Sequence, residues 1–179
     1  GISVIHVEAG CRSFDMNSPE EQNRKIIDSI SALYLCADKT SMKNLKREGV
    51  KKNVHFSGST VFDAASWASK QRSEVLKPFK LKREGYVVAT LHRAENLEDL
   101  TGFQSKIDLI NHVAQTIPVI FPVHPRTQKF LKAKKIKLDK KVQLIEPQTY
   151  VPFIQLLKDC RFVLSDSGGI QEEAAFFDR

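Results

Sequence analysis

The stretch FVLSDSGGIQEEAAFF, residues 162–177, decides the fold. The apolar run Phe162-Val163-Leu164 has the length of a short buried strand. Gly168 and Gly169 break it. From Gly168 onward no further breaker occurs before Asp178, which reads as a helix. Strand, glycine turn and helix in that order form the unit from which parallel sheets are built. The turn also has a chemical reading. Two glycines at a helix start leave backbone N–H groups exposed at the positive end of the dipole, where a phosphate can approach and the Ser167 hydroxyl can donate. A plain Gly-Gly turn explains the same letters. Glu172 and Glu173 likewise read either as favourable charges in the first helical turns or as a carboxylate offered to a ribose diol.

Working outward, the same alternation recurs. Residues 3–7 read as a strand. Residues 20–33 have helical periodicity with Ile26, Ile27, Ile30 and Leu33 on one side, and SPEE supplies an N-cap at Ser18, Pro19 in the first helical position and a capping box closed by Glu21. A short strand over 34–37, a helix over 40–48 ended by Gly49, and a strand over 54–56 follow, and GSTVFDAA opens another helix. The segment LKPFKLKREG, residues 76–85, is basic and broken and reads as a linker. Beyond it come a strand over 86–91, a helix over 97–115 and a strand over 118–123, whose prolines belong at its ends or on an edge. A strand over 142–145, a helix over 151–158 and a strand over 161–164 lead back to the opening stretch. This predicts an α/β protein of two Rossmann-like units with parallel sheets, residues 1–78 and 79–179, and a ligand cleft between them.

Composition narrows the function. Of 179 residues, 41% are apolar and 27% charged, which suits a packed globular chain. No apolar stretch approaches the ~18 residues of a membrane span, and no membrane partner is expected. The net charge of +7 owes much to KAKKIKLDKK, residues 132–141. That run lacks interleaved aromatics and reads as a solvated face or loop rather than a nucleic-acid surface. Cys11, Cys36 and Cys160 lie far apart, with no metal-ligand spacing. They predict a reducing, cytoplasmic setting and no bound metal. Without GxGxxG after a strand, no nicotinamide is expected, nor any other cofactor. The chain starts without Met and its last helix stops at Asp178-Arg179, so it is expected to be part of a longer one.

The polar clusters HVEAGCRSFD, HRAEN, HPR, EPQ and SDSGG each follow a predicted strand. Ligands on open parallel sheets bind at those carboxyl ends. Glu8, Glu20, Glu21 and His92 therefore read as candidates for acid–base work, although capping explains Glu20 and Glu21 and a lone His is often structural.

Taken together, HVEAGCRSFD, SPEEQNR, GSTVFDA, TLHRAEN, FPVHPR, IEPQTYVPF and DSGGIQEEA resemble the non-hydrolysing UDP-N-acetylglucosamine 2-epimerases, in the family's order and over nearly the whole chain. The resemblance implies the GT-B arrangement and interconversion of UDP-GlcNAc and UDP-ManNAc. A base removes the C2 proton while UDP leaves C1, and UDP adds back to the retained glycal with a proton on the other face. Glu8, Glu20 and His92 match the family's catalytic positions. Ser167, Gly168 and Gly169 match its phosphate turn, Glu173 its ribose ligand, and Gln148 and Phe153 its uracil contacts. Core packing also explains Phe153, and Arg12 reads as orienting Glu8. Arg93 and His124 match a second, activating UDP-GlcNAc site. Cys11 stands where the family commonly has an aliphatic residue. The resemblance implies a UDP-sugar partner and a homodimer of the full-length protein. A related UDP-diacetamido sugar as substrate, or a non-catalytic UDP-sugar-binding fragment, are the competing readings.

Overall fold

The protein is described here by a computed structural model covering residues 1–79, 81–91 and 100–179. In chain order the described elements are β1 (Ile5–Val7), α1 (Pro19–Ile30), β2 (Leu33–Cys36), α2 (Lys39–Arg47), β3 (Val54–Phe56), α3 (Thr60–Ser69), β4 (Val87–Thr90), α4 (Leu100–Thr116), β5 (Val119–Pro122), α5 (Pro125–Ala133), β6 (Val142–Ile145), α6 (Tyr150–Asp159), β7 (Val163–Ser165) and α7 (Gly168–Phe176). They fall into two compact units, residues 1–63 and 64–179.

The second unit carries a four-stranded parallel sheet in the order β6-β5-β4-β7. Its two central strands are buried throughout. Alternation sends their side chains to opposite faces. Val87, Ala89, Val119 and Phe121 pack with Phe103, Ile107 and Ile110 of α4 and Leu131 of α5. Tyr86, Val88 and Ile120 pack on the other side with Ile154, Leu156 and Leu157 of α6 and Ile170 of α7. The Tyr86 hydroxyl donates to the Leu156 carbonyl at 2.9 Å, which lets a phenol sit in that core. Helices on both faces explain why these strands read as continuous apolar runs. Pro122 closes an interior strand, where a missing N–H is tolerated at the strand's end.

The first unit is a three-stranded parallel sheet, β1-β2-β3. Its buried apolar cluster joins Ala9, Tyr34, Cys36 and Leu45, with Met42, Val50 and Val54 beside them. Asp38 caps α2, its carboxylate accepting from the Ser41 N–H at 2.7 Å.

Several expectations change. The packing boundary falls inside α3, ahead of the basic segment near residue 78, because Ala65 and Ala68 of α3 belong to the core of the second unit. That segment is not a loose linker. Val75, Leu76, Phe79 and Leu81 pack against the same core. The helix α5, set between FPVHPR and the lysine run, was hidden by its charge: only Thr127 and Leu131 are buried on it. In this chain the apolar stripe of α1 stands exposed. Ile26, Ile27 and Ile30 are 59%, 37% and 63% exposed, Leu33 belongs to β2, and the buried residues of α1 are Glu21 and Asp28. Periodicity finds a stripe but not what covers it, and on the buried side of α1 hydrogen bonds hold two carboxylates. The capping box is absent for the same reason: Ser18 takes the N-cap position without a side-chain cap bond, and Glu21 reaches the preceding loop instead.

Candidate functional site

The loop after β1 is built from HVEAGCRS. Glu8 takes a left-handed φ of 63°, Gly10 one of 78°. A glutamate in that region costs backbone energy and signals a conformation imposed by its surroundings. Glu8 Oε1 accepts from the Thr60 hydroxyl at 2.5 Å and the Thr60 N–H at 3.2 Å, at the first residue of α3. A carboxylate at a helix N-terminus is favoured by the dipole. Ala9 donates its N–H to the Leu35 carbonyl at 3.0 Å, and Asn44 Nδ2 donates to the Gly10 carbonyl at 3.0 Å. Arg12 follows. Its guanidinium, closed to solvent, donates to both Glu48 oxygens at 2.9 and 2.6 Å and to Asp28 Oδ2 at 2.6 Å. This fork geometry is the form in which an arginine ion pair is most directional.

Glu20 stands exposed at the start of α1, and Oε2 accepts from the Ser18 hydroxyl at 2.7 Å. That bond holds its carboxyl below the usual range. Glu21, wholly buried, accepts from the Ser13 N–H at 2.7 Å and the Ser13 hydroxyl at 3.1 Å through Oε2. Its Oε1 has no hydrogen-bond partner among the described residues. Burial pushes Glu21 up, but the Ser13 donors outweigh it and the net direction is down. Glu48 is held down by the Arg12 hydrogen bonds.

These depressed carboxyls carry an acid-stability prediction. A carboxyl with its folded pKa below its unfolded value binds fewer protons when folded. It stabilises fully above the unfolded value and loses this as pH falls through the folded one. The Tm advantage of the wild-type full-length protein over Glu48→Gln is therefore expected to shrink as pH falls from about 4.5 toward 3. A gap that stays constant across that window in thermal melts would remove the Arg12–Glu48 pair as its source.

In the second unit the strand order runs 3-2-1-4 within the sheet, so it reverses between β4 and β7. At such a reversal the two adjacent helices diverge, leaving a crevice at the carboxyl ends of the strands. Beside the backbone ladder, a side-chain hydrogen bond spans the reversal: the Thr90 hydroxyl, at the end of β4, donates to Ser165 Oγ, at the end of β7, at 2.8 Å. Ser165 Oγ also accepts from the Ser167 N–H at 3.1 Å and so shapes the turn. Gly168 and Gly169 begin α7 exposed, with open space where a Cβ would stand. Ser167, the N-cap, spends no side-chain hydrogen bond on the helix.

Glu173 lies half-buried one turn into α7. Burial pushes its carboxyl up, and the neighbouring Tyr150 hydroxyl at the start of α6 partly offsets this. Tyr150 itself is raised by burial and then by the Glu173 charge. Gln148 turns back on its own loop, Nε2 donating to the Glu146 carbonyl at 2.7 Å. Phe153 packs against the core containing Ile154 and Leu157, in line with its structural reading. His124 caps α5, with Nδ1 accepting from the Arg126 N–H at 3.2 Å. His92 and Arg93 lie outside the described residues. No cluster of three or more His, Cys, Asp or Glu suited to a metal occurs among the described residues.

The structure thus brings Glu8 onto Thr60 and Glu173 onto Tyr150, and it leaves Glu20 with Ser18. Thr60, Tyr150, Ser165 and Asp28 were not singled out from sequence. The first three stand inside or beside the motifs GSTVFDA, IEPQTYVPF and SDSGG, which is the signal that could have found them. Asp28 stands four residues beyond SPEEQNR, where only the missing apolar residue at a buried helical position hints at it.

The family model for UDP-N-acetylglucosamine 2-epimerase matches residues 1–179. The UDP-N-acetylglucosamine 2-epimerase of Methanocaldococcus jannaschii is 39% identical over 185 residues, covering 97% of this chain and 50% of that protein. The UDP-2,3-diacetamido-2,3-dideoxy-D-glucuronate 2-epimerase of Pseudomonas aeruginosa is 36% identical over 183 residues, covering 99% and 50%. Among solved structures, the Methanocaldococcus jannaschii UDP-GlcNAc 2-epimerase in complex with UDP-GlcNAc and UDP matches with a TM-score of 0.80 at 38% identity, over 98% of this chain and 51% of that one. The chain spans about half the length of the curated relatives it matches. With matched residues running from the first strand to the last helix, the chain belongs to the UDP-N-acetylglucosamine 2-epimerase family.

Proposed function

We propose that the full-length protein containing this chain epimerises UDP-N-acetylglucosamine at C2 to UDP-N-acetylmannosamine, by elimination and re-addition of UDP. The observation that carries the reading is the reversal of strand order between β4 and β7, with the open Gly168-Gly169 turn at its lip. Backbone N–H groups at the start of α7 suit a diphosphate, and Ser167 adds a hydroxyl. Glu173 takes the ribose diol, and Gln148 and Phe153 take uracil. Gln148 has only a local loop bond to exchange for a base edge.

Breaking the C1–O bond puts positive charge on the sugar ring, which carboxylates stabilise, and C2 needs a base on one face and an acid on the other. Glu8 and Glu20 serve these needs in the reading, and His92 acts at the leaving diphosphate. Arg93 and His124 belong to a second, activating site for the same nucleotide sugar. The longer protein works as a cytoplasmic homodimer without metal or cofactor. The buried free thiols Cys36 and Cys160 suit a reducing compartment.

A related substrate has one specific argument: the Pseudomonas aeruginosa relative acts on a UDP-diacetamido sugar acid. Incubating the full-length protein with UDP-GlcNAc in heavy water tests the first reading. UDP-ManNAc carrying deuterium at C2 is expected. Turnover of a UDP-diacetamido sugar acid alone would favour the second substrate. UDP binding without C2 exchange on either would leave a binding protein.

A further inference from the structure

Asp28 is buried, 3% exposed, on the inward side of α1. An aspartate there needs partners for both oxygens. Oδ1 meets His6 Nδ1 at 2.6 Å. A carboxylate only accepts, so His6 carries its proton on Nδ1. Oδ2 accepts from Arg12 at 2.6 Å and from the Gly10 N–H at 3.3 Å. The Asp28 main-chain carbonyl also accepts from the Tyr34 hydroxyl at 2.9 Å, tying this point of α1 to β2.

The three side-chain partners bracket one residue. His6 lies two positions before Glu8, Gly10 two after and Arg12 four after. Glu8 is the residue held at φ 63° in a loop whose flanks are fixed from one point. A strained backbone persists only where its surroundings over-determine it. The same helix carries Glu20 on its first turn.

We infer that Asp28 is a positioning residue, which clamps the chain on both sides of Glu8 and fixes the Glu8 carboxylate relative to α1. The inference rests on the proposed reading of Glu8 as an acid–base group. Asp28 touches no reacting atom in that reading and acts through Glu8. An amide cannot replace it, because Asn offers one acceptor oxygen where three donors converge and turns an NH2 toward the rest.

The test uses the full-length protein, UDP-GlcNAc turnover and C2 deuterium exchange. Asp28→Asn is expected to lower kcat roughly 10- to 100-fold, while KM and the Kd for UDP stay within about threefold of wild type. The double variant with Glu8→Gln is expected to be no slower than Glu8→Gln alone, since groups acting as one unit are not additive. A purely structural Asp28 would multiply the two losses, and that result overturns the inference. So does wild-type kcat in Asp28→Asn beside an inactive Glu8→Gln. If Glu8→Gln itself turns over normally, the reading of Glu8 fails first and takes the inference with it. Should Asp28→Asn lose its cooperative melt, His6→Leu decides. It removes only the Oδ1 contact, and a several-fold fall in kcat supports the clamp, whereas an unchanged kcat overturns it.

Discussion

Glu8→Gln in the full-length protein is expected to lower turnover of UDP-GlcNAc by roughly 10²- to 10⁴-fold, the range that a positioned acid or base supplies, with UDP affinity and Tm nearly unchanged. The substitution separates the observed contact of Glu8 from its proposed chemistry. As the partner of α3, Glu8 needs only an acceptor for the Thr60 hydroxyl and N–H, and both bonds go to one oxygen, Oε1. Gln presents an acceptor of the same reach, so the helix start survives. As an acid–base group Glu8 needs an ionisable carboxyl, and an amide has none. Loss of turnover with an unchanged melt assigns the chemistry to the carboxyl. A lowered melt with normal turnover would reduce Glu8 to a helix partner. Glu8→Ala cannot make that distinction, because it removes both functions together.

The second unit was more legible in the sequence than the first. Strands buried on both faces show as apolar runs, and VVAT and VIFP sit within the runs that predict them, while the edge strand VQLI falls where expected and VLS runs one residue past its expected end. The glycine turn was legible as a strand–helix junction, and both of its glycines stand in open space. In the first unit, beside the apolar cluster of Ala9, Tyr34, Cys36 and Leu45, hydrogen bonds of Arg12, Asp28, Glu48, His6 and Glu21 hold the loop after β1 to α1 and α2. Hydrophobic periodicity does not register such contacts, so Asp28 stays invisible in the sequence of α1. Ser18 and Glu21 show the limit of a short motif. S-x-x-E encodes a capping box only when no stronger donor competes for the glutamate, and here Ser13 lies closer to hand. α5 escaped notice because nearly every residue on it is polar or exposed.

The largest structural effect is expected at Gly10, and it follows from the same charge-organised loop. A Cβ on Gly10 would stand 2.3 Å from the Ser41 carbonyl oxygen and 2.8 Å from Leu45 Cγ, at a φ of 78°. Leu45 is fully buried and Ser41 sits inside α2, so neither neighbour has room to retreat. Gly10→Ala thus adds a left-handed backbone to an overpacked contact, and the two costs sum to about 3 kcal/mol or more. To relieve them the loop must lift from α2. That would break the Asn44 bond to the Gly10 carbonyl and the Gly10 N–H bond to Asp28. The shift would carry Glu8 with it. Thermal or urea melts of the full-length protein should show the loss of stability, and kcat should fall at temperatures where the variant is still folded. A variant that melts like wild type would mean that α2 yields to the methyl group. A variant that melts early yet keeps wild-type kcat while folded would mean that Glu8 keeps its place when this loop moves. The Gly10–Asp28 bond would then be no part of what positions it.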